Sequence, residues 1–283
     1  MTEISHNERP TLVLGGTGKT GRRVVERLGA RGLPVRVGSR SGQPRFDWAD
    51  ESTWAPVLRG ARAAYIPYPD LVLPGAATEA ARAFAELAID HDVTRLVMLT
   101  GRGEDEAQRG EREVQATGAD VTIVRCAWFM QIFSEDFLLD SIRAGEVVLP
   151  ATDDQLDPFV DTDDIADVAV AALTEPGHAD QVYELTSPRL LSVPEAIAEI
   201  AKASGRDITY VPVSVEEFAA GAADHGAPAE LVDFLTYLFS DVLGKLAYVT
   251  NTVERVLGRP SGDFTDYATR TAATGIWTPL ADR

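Results

Sequence analysis

The stretch T-L-V-L-G-G-T-G-K-T-G, Thr11 to Gly21, decides how the rest of the chain is read. An apolar run suited to a buried strand ends at Gly15. Helix-like periodicity begins just beyond it, so the glycines occupy the turn between the two. Gly16, Gly18 and Gly21 satisfy G-x-G-x-x-G, while Gly15, Gly18 and Gly21 satisfy G-x-x-G-x-x-G. Both spacings ask for a tight turn, backbone bare enough for a pyrophosphate to approach, and close contact between helix and strand. Thr17, Lys19 and Thr20 complete the candidate phosphate loop at the positive end of the helix dipole. Gly18-Lys19-Thr20 also spells the end of a nucleoside triphosphate loop, but that pattern needs a glycine at position 13, where the chain has Val13.

Working outward, strand and helix signals alternate. Helical spacing over Arg22 to Gly32 is followed by a second strand, Pro34 to Arg40. A short third strand is predicted at Arg45 to Trp48, a fourth at Ala61 to Pro67, a fifth at Arg95 to Thr100 and a sixth at Asp120 to Arg125, with helices between. Such alternation predicts a Rossmann-like, doubly wound parallel sheet covered on both faces. Ligands of these sheets lie at the carboxyl ends of the strands, which places Gly15, Arg40, Tyr68 and Thr100 on one rim. A strand that serves NAD ordinarily ends in an acid for the ribose 2′-hydroxyl; this one ends in Ser39 and Arg40, with no acid before Asp47. A guanidinium there suits a 2′-phosphate, so NADP(H) is expected and NAD(H) is the weaker alternative. Lys19 and Arg36 are further cations nearby, and Asp47 is a candidate for the adenine edge.

After the sixth strand comes Ala127 to Phe133, the richest aromatic run. Trp128, Phe129 and Phe133, with Tyr68 and Tyr237, are the candidate substrate-pocket residues. Thr162 to Ala166 begins a helix whose Asp163 and Asp164 read as capping acids. The last hundred residues lose the alternation. They predict a smaller α+β substrate lobe with strands at Val182 to Thr186 and Ile208 to Val213, and a helix opened by the capping box Ser192-x-x-Glu195. The expected division is a dinucleotide-binding domain over 1–156 and a substrate lobe over 157–283, interleaved with it, with 157–174 returning to the first core.

The composition limits partners. With 44 acidic against 26 basic residues among 283, the formal charge is -18, which disfavours nucleic acid and anionic membranes. A bound anion must therefore be held by local cations and helix ends. Cys126 is the only cysteine, and it falls in an apolar run that suits a buried thiol. His6, His91, His178 and His225 lack metal-ligand spacing, so no metal is expected. There is no apolar core of signal-peptide length near the start and no stretch long enough to span a bilayer, and the expectation is a cytoplasmic protein, monomeric or homodimeric.

With these residues in view, the chain resembles the NmrA-like family of atypical short-chain dehydrogenase/reductases. The similarity rests on G-G-T-G-K-T-G-R-R at the start, Ser39-Arg40, L-T-G-R-G from Leu99, R-C-A-W-F-M-Q from Arg125, F-V-D-T-D-D-I-A-D-V-A from Phe159 and V-Y-E-L-T from Val182. Within the family it looks most like bacterial members grouped with ergot-alkaloid biosynthesis reductases. The resemblance implies a cofactor site at Gly15, Gly18, Gly21, Arg40, Asp47 and Thr100, and reduction of iminium-like bonds with NADPH. One departure stands out. Ordinary short-chain reductases place a Tyr-x-x-x-Lys pair on the helix after the fifth strand; the matching positions here are Asp105 and Arg109, and none of the seven tyrosines is followed four residues later by lysine. Without that acid, Asp105, Tyr65, Tyr68 and Thr100 are the remaining candidate proton donors. Two functions follow: hydride transfer from NADPH to a small imine or iminium, quinone, enone or carbonyl, or an NADP(H)-binding redox sensor with little catalysis.

Overall fold

The computed structural model describes residues 9–69 and 75–279. The chain forms two compact units, one of 1–126, 162–185 and 255–258, the other of 127–161, 186–254 and 259–283. The first break thus falls after Cys126 and not after residue 156.

The first unit is a six-stranded sheet in the order β2-β1-β3-β4-β5-β7. Its strands are β1 (Thr11–Leu14), β2 (Val35–Gly38), β3 (Ala63–Pro67), β4 (Arg95–Gly101), β5 (Asp120–Cys126) and β7 (Val182–Leu185), and every pairing is parallel. Helices α1 (Lys19–Ala30) and α7 (Thr162–Thr174) pack on each other on one face of the sheet. On the other face lie α2 (Trp54–Leu58), α3 (Ala77–Asp90) and α4 (Asp105–Gln115). Burial on both faces explains why β1 is a continuous apolar run with no exposed position, Leu12, Val13 and Leu14 all at 0%. Each such side chain contributes about 1.5–3 kcal/mol through removal from water.

The third strand expected at Arg45 to Trp48 does not form. Its peptide groups bond within the loop instead: Phe46 N donates to Ser39 O at 2.9 Å and Asp47 N to Thr53 Oγ1 at 2.9 Å. Its aromatic rings fold under α3 in an edge-to-face cluster of Phe46, Trp48, Trp54 and Phe84. Packing of large rings outweighed ladder formation, and β2 is left as the sheet edge.

The second unit carries α5 (Ile132–Glu135), α6 (Leu138–Ala144), β6 (Glu146–Leu149), α8 (Val193–Ser204), β8 (Thr209–Pro212), α9 (Val215–Asp224), α10 (Ala229–Tyr237) and α12 (Phe264–Ala272). Strands β6 and β8 pair parallel as a separate two-stranded sheet. The Ser192–Glu195 capping box opens α8, and a second box, Ser214–Glu217, opens α9. A one-turn π-helical segment, Leu238–Val242, continues α10, and α11 (Thr252–Leu257) was not foreshadowed by the sequence pattern.

Candidate functional site

The strand order reverses at β1, between β2 and β3, so the crevice at the carboxyl ends opens beside Gly15. Gly15 has φ +62°, a left-handed conformation that residues with a Cβ seldom adopt. Its carbonyl accepts from Gly18 N at 2.8 Å, which closes the turn. A Cβ on Gly21 would lie 2.3 Å from Gly15 O and 3.0 Å from Gly16 Cα. Helix α1 therefore sits as close to the turn as backbone atoms permit, and glycine is required at Gly15 by its φ and at Gly21 by this approach, whereas a Cβ on Gly18 would meet only Gly15 O, at 3.3 Å. The N-cap of α1 is Gly18, with no side-chain cap and no acid in the first turn. Many helices cap or neutralise this end with their own side chains; α1 supplies neither a cap nor an acid in its first turn, which fits a bound pyrophosphate.

The loop beyond β2 sorts the expected cations. Ser39 is half-buried and its carbonyl accepts from Gly42 N and Phe46 N, which folds the loop back and leaves Arg40 at its tip. Arg40 is exposed and engages no partner among the described residues. Arg36 does not belong to this group: its guanidinium donates to Val57 O and Arg59 O, both at 2.7 Å, and so closes the end of α2. Asp47 pairs with Arg45 at 2.6 Å and accepts from Ala49 N, so its carboxylate shapes the loop instead of standing ready for an adenine. Thr17 is exposed, Lys19 half-buried, and Thr20 buried.

The hydroxyls named as proton donors are already committed. Tyr65, fully buried, donates to Thr20 Oγ1 at 2.9 Å, and burial pushes its phenol far above the ordinary value. This bond links β3 to the start of α1, so both residues support the glycine turn from beneath. Tyr68 lies under α4, its hydroxyl 2.9 Å from Thr78 Oγ1 and its ring against Gly110, where a Cβ would meet Cε2 at 2.5 Å. It is a core residue, which removes it from both the proton-donor and pocket-wall sets. Thr100 donates to Glu111 Oε1 at 2.6 Å. Asp105 is exposed in the first turn of α4, and Arg109, also exposed, pairs with Glu106.

Thr100 leads to an element that the sequence reading missed. Glu111 is 2% exposed and is held on both oxygens by Arg125, which also reaches Glu184 at 3.0 Å; the buried Arg102 lies 3.7 Å from that same Glu184. Two guanidinium and two carboxylate groups thereby tie β4, β5, β7 and α4 together beneath the rim. The Glu111 and Glu184 carboxylates raise the pKa of Arg125 despite its partial burial. A signal was present: Glu111 occupies the apolar stripe Ala107, Gly110, Val114 of α4, and a charge in a core stripe needs a buried partner. On the outer side, Asp163 pairs with Arg23 and Arg27, and Asp167 with Arg27, so the first acids of α7 anchor α1.

In the second unit the aromatic candidates divide. Phe133 is fully buried between Phe159 and Phe264, at ring separations of 5.4 and 5.5 Å, and belongs to the core. Trp128, Phe129 and Tyr237 are half-buried. Trp128 lies 5.3 Å from the ring of Phe239, which in turn meets Phe218 at 5.4 Å. Among the described residues no group of His, Cys, Asp and Glu could hold a metal ion, and no helix is long and apolar enough to cross a membrane; His6 lies outside the described residues.

A parallel sheet that reverses order beside a glycine turn, with an uncapped helix facing the reversal, defines a dinucleotide-binding α/β protein of the doubly wound class. Sequence comparison agrees. The chain is 30% identical over 280 residues to agroclavine dehydrogenase of Claviceps fusiformis, covering 90% of this chain and 95% of that one. It is 31% identical over 285 residues to the NAD(P)H azoreductase of Xenophilus azovorans, covering 93% and 98%. Its fold matches the NADPH complex of an Escherichia coli NADPH-dependent quinone oxidoreductase with a TM-score of 0.76 at 22% identity, over 92% of this chain and 99% of that one. No protein-family model matches the sequence. The chain belongs to the NmrA-like family of atypical short-chain dehydrogenase/reductases, alongside the ergot-alkaloid reductases.

Proposed function

We propose that the protein is an NADPH-dependent reductase of a small unsaturated acceptor, an imine or iminium, quinone or enone before a simple carbonyl. The observation that carries this is the Gly15–Gly21 turn before an uncapped α1, with Arg40 just beyond the next strand and without a partner among the described residues. The turn amides and helix dipole hold the pyrophosphate, and the Arg40 guanidinium holds the 2′-phosphate by charge-assisted bonds. NADPH, when bound, supplies the hydride. The similarity to an NAD(P)H azoreductase and a clavine dehydrogenase supports a nicotinamide reaction on a small molecule.

The order of acceptors follows from the committed hydroxyls. Hydride addition to an iminium carbon gives a neutral amine with no further proton, and a quinone or enone delocalises its charge until water protonates it. A simple carbonyl develops a localised alkoxide that wants an adjacent acid, and Tyr65, Tyr68 and Thr100 already have partners. The protein's part is then to hold the acceptor in a dry site. Purified protein tested against imines, quinones, enones and aldehydes while NADPH absorbance is followed should oxidise NADPH with at least one of the first three. NADPH binding with every class at the buffer rate would reject this reading in favour of an NADP(H) sensor, which the same committed hydroxyls also suit.

A further inference from the structure

Helix α10 carries a hydroxyl that departs from the chain's own habit. Threonines inside helices ordinarily return their hydroxyl to the carbonyl four residues back. Thr174 does so to Val170 O at 2.7 Å and Thr269 to Thr265 O at 2.8 Å. Thr236 does not: its Oγ1 is buried and has no hydrogen-bond partner among the described residues. A buried polar group left bare is destabilising, and in a native protein it calls for an explanation, a bound water, ion or ligand among them.

Its place shows what that would be. Thr236 is four residues after Val232, the buried residue of α10, and three before Phe239, which is 1% exposed, so it shares their inward face. Phe239 is the middle ring of the series Trp128, Phe239, Phe218. Trp128 and Phe218 at its ends are only half-buried, and α9, which carries Phe218, buries no residue fully. The ring series centred on Phe239, on the same face as the hydroxyl, is thus partly exposed at both of its ends.

We infer that Thr236 is a substrate-binding residue whose hydroxyl donates a hydrogen bond to a heteroatom of a flat aromatic acceptor lying against Trp128. This rests on the reductase reading and adds to it the recognition feature: an aromatic ring system bearing an oxygen or nitrogen acceptor. An aromatic acceptor without such an atom fits the rings equally well and leaves the hydroxyl bare.

The test uses the full chain saturated with NADP+ and two probes of the same ring skeleton, 1,4-naphthoquinone and naphthalene, with binding measured by equilibrium dialysis. The wild type should prefer the quinone. Thr236→Val, which keeps the shape and removes the oxygen, should weaken quinone binding about five- to tenfold, leave naphthalene unchanged and keep or raise Tm. Thr236→Ser should restore the preference. Trp128→Leu should weaken both probes alike. Equal loss of both probes in Thr236→Val, or a lowered Tm, would make the hydroxyl structural and overturn the assignment. So would undiminished quinone binding in that variant, or no saturable quinone binding to the wild type. These readouts do not depend on turnover, so a protein that binds the quinone through Thr236 but oxidises no NADPH would refute the reductase reading and leave the site standing.

Discussion

Gly21→Ala tests the close approach on which the dinucleotide site depends. The added methyl would lie 2.3 Å from Gly15 O, 2.7 Å from Gly15 C and 3.0 Å from Gly16 Cα. All three are backbone atoms of a turn fixed by a positive φ and a 2.8 Å hydrogen bond, so no side chain can rotate away. Relief requires α1 to withdraw by roughly 1 Å, at an overpacking cost of about 1–3 kcal/mol. At about 2 °C per kcal/mol for a chain of this size, Tm should fall by about 2–6 °C. The same withdrawal draws the α1 amides off the pyrophosphate, so NADPH affinity by calorimetry should drop at least tenfold. Gly29→Ala supplies the control on the same helix: nothing lies within 4 Å of its Cβ. That change should stabilise by about 0.4–1 kcal/mol, because alanine favours helix and restricts the unfolded chain, with NADPH affinity unchanged. If Gly21→Ala matched Gly29→Ala in both Tm and affinity, the turn would not be packed as described.

Three further outcomes are expected. Arg40→Ala should weaken NADPH about tenfold or more in calorimetry, given roughly 1.5–3 kcal/mol for a charge-assisted bond, with NADH nearly unaffected; equal loss for both cofactors would make Arg40 structural. Glu111→Gln leaves Arg125 short of a buried counter-charge and should destabilise by about 3–5 kcal/mol in thermal or urea unfolding, whereas the exposed Glu113→Gln on the same helix should change little. Burial, aided by Arg95 and opposed by Glu175, lowers the pKa of His178, whose Nδ1 meets Tyr183 OH at 2.8 Å. The unfolded chain then binds this proton more readily, so the contribution of neutral His178 is complete above the ordinary histidine value near 6.5 and is lost as pH falls below it. The wild-type Tm should therefore decline more steeply from pH 7 to 5.5 than that of His178→Gln, and parallel curves would remove His178 from the account.

Much of the fold was legible because its causes are local. The glycine spacing, the apolar run of β1 and the Ser192–Glu195 box are short-range demands of turn, strand and cap, and the structure meets each. The third strand failed because nothing local distinguishes R-F-D-W in a ladder from R-F-D-W folded under Phe84; a residue nearly forty positions away made that choice. The proton donors failed for the same kind of reason. Tyr68 and Thr100 stand at strand ends as expected, but the groups that occupy their hydroxyls, Thr78 and Glu111, arrive on the next helices.

By itself, then, the sequence determined the glycine turn between β1 and α1 and that the usual Tyr-x-x-x-Lys pair is missing, because both are matters of residue type at fixed spacing. Only tertiary structure decided which side chains remain available for chemistry. Among the described residues it left Arg40 and the hydroxyl of Thr236 without a partner, turned Arg36 and Asp47 to loop and helix ends, and closed Tyr65, Tyr68 and Thr100 into the core. Availability depends on hydrogen bonds and burial between residues distant in the chain, and spacing along one strand or helix carries no record of them.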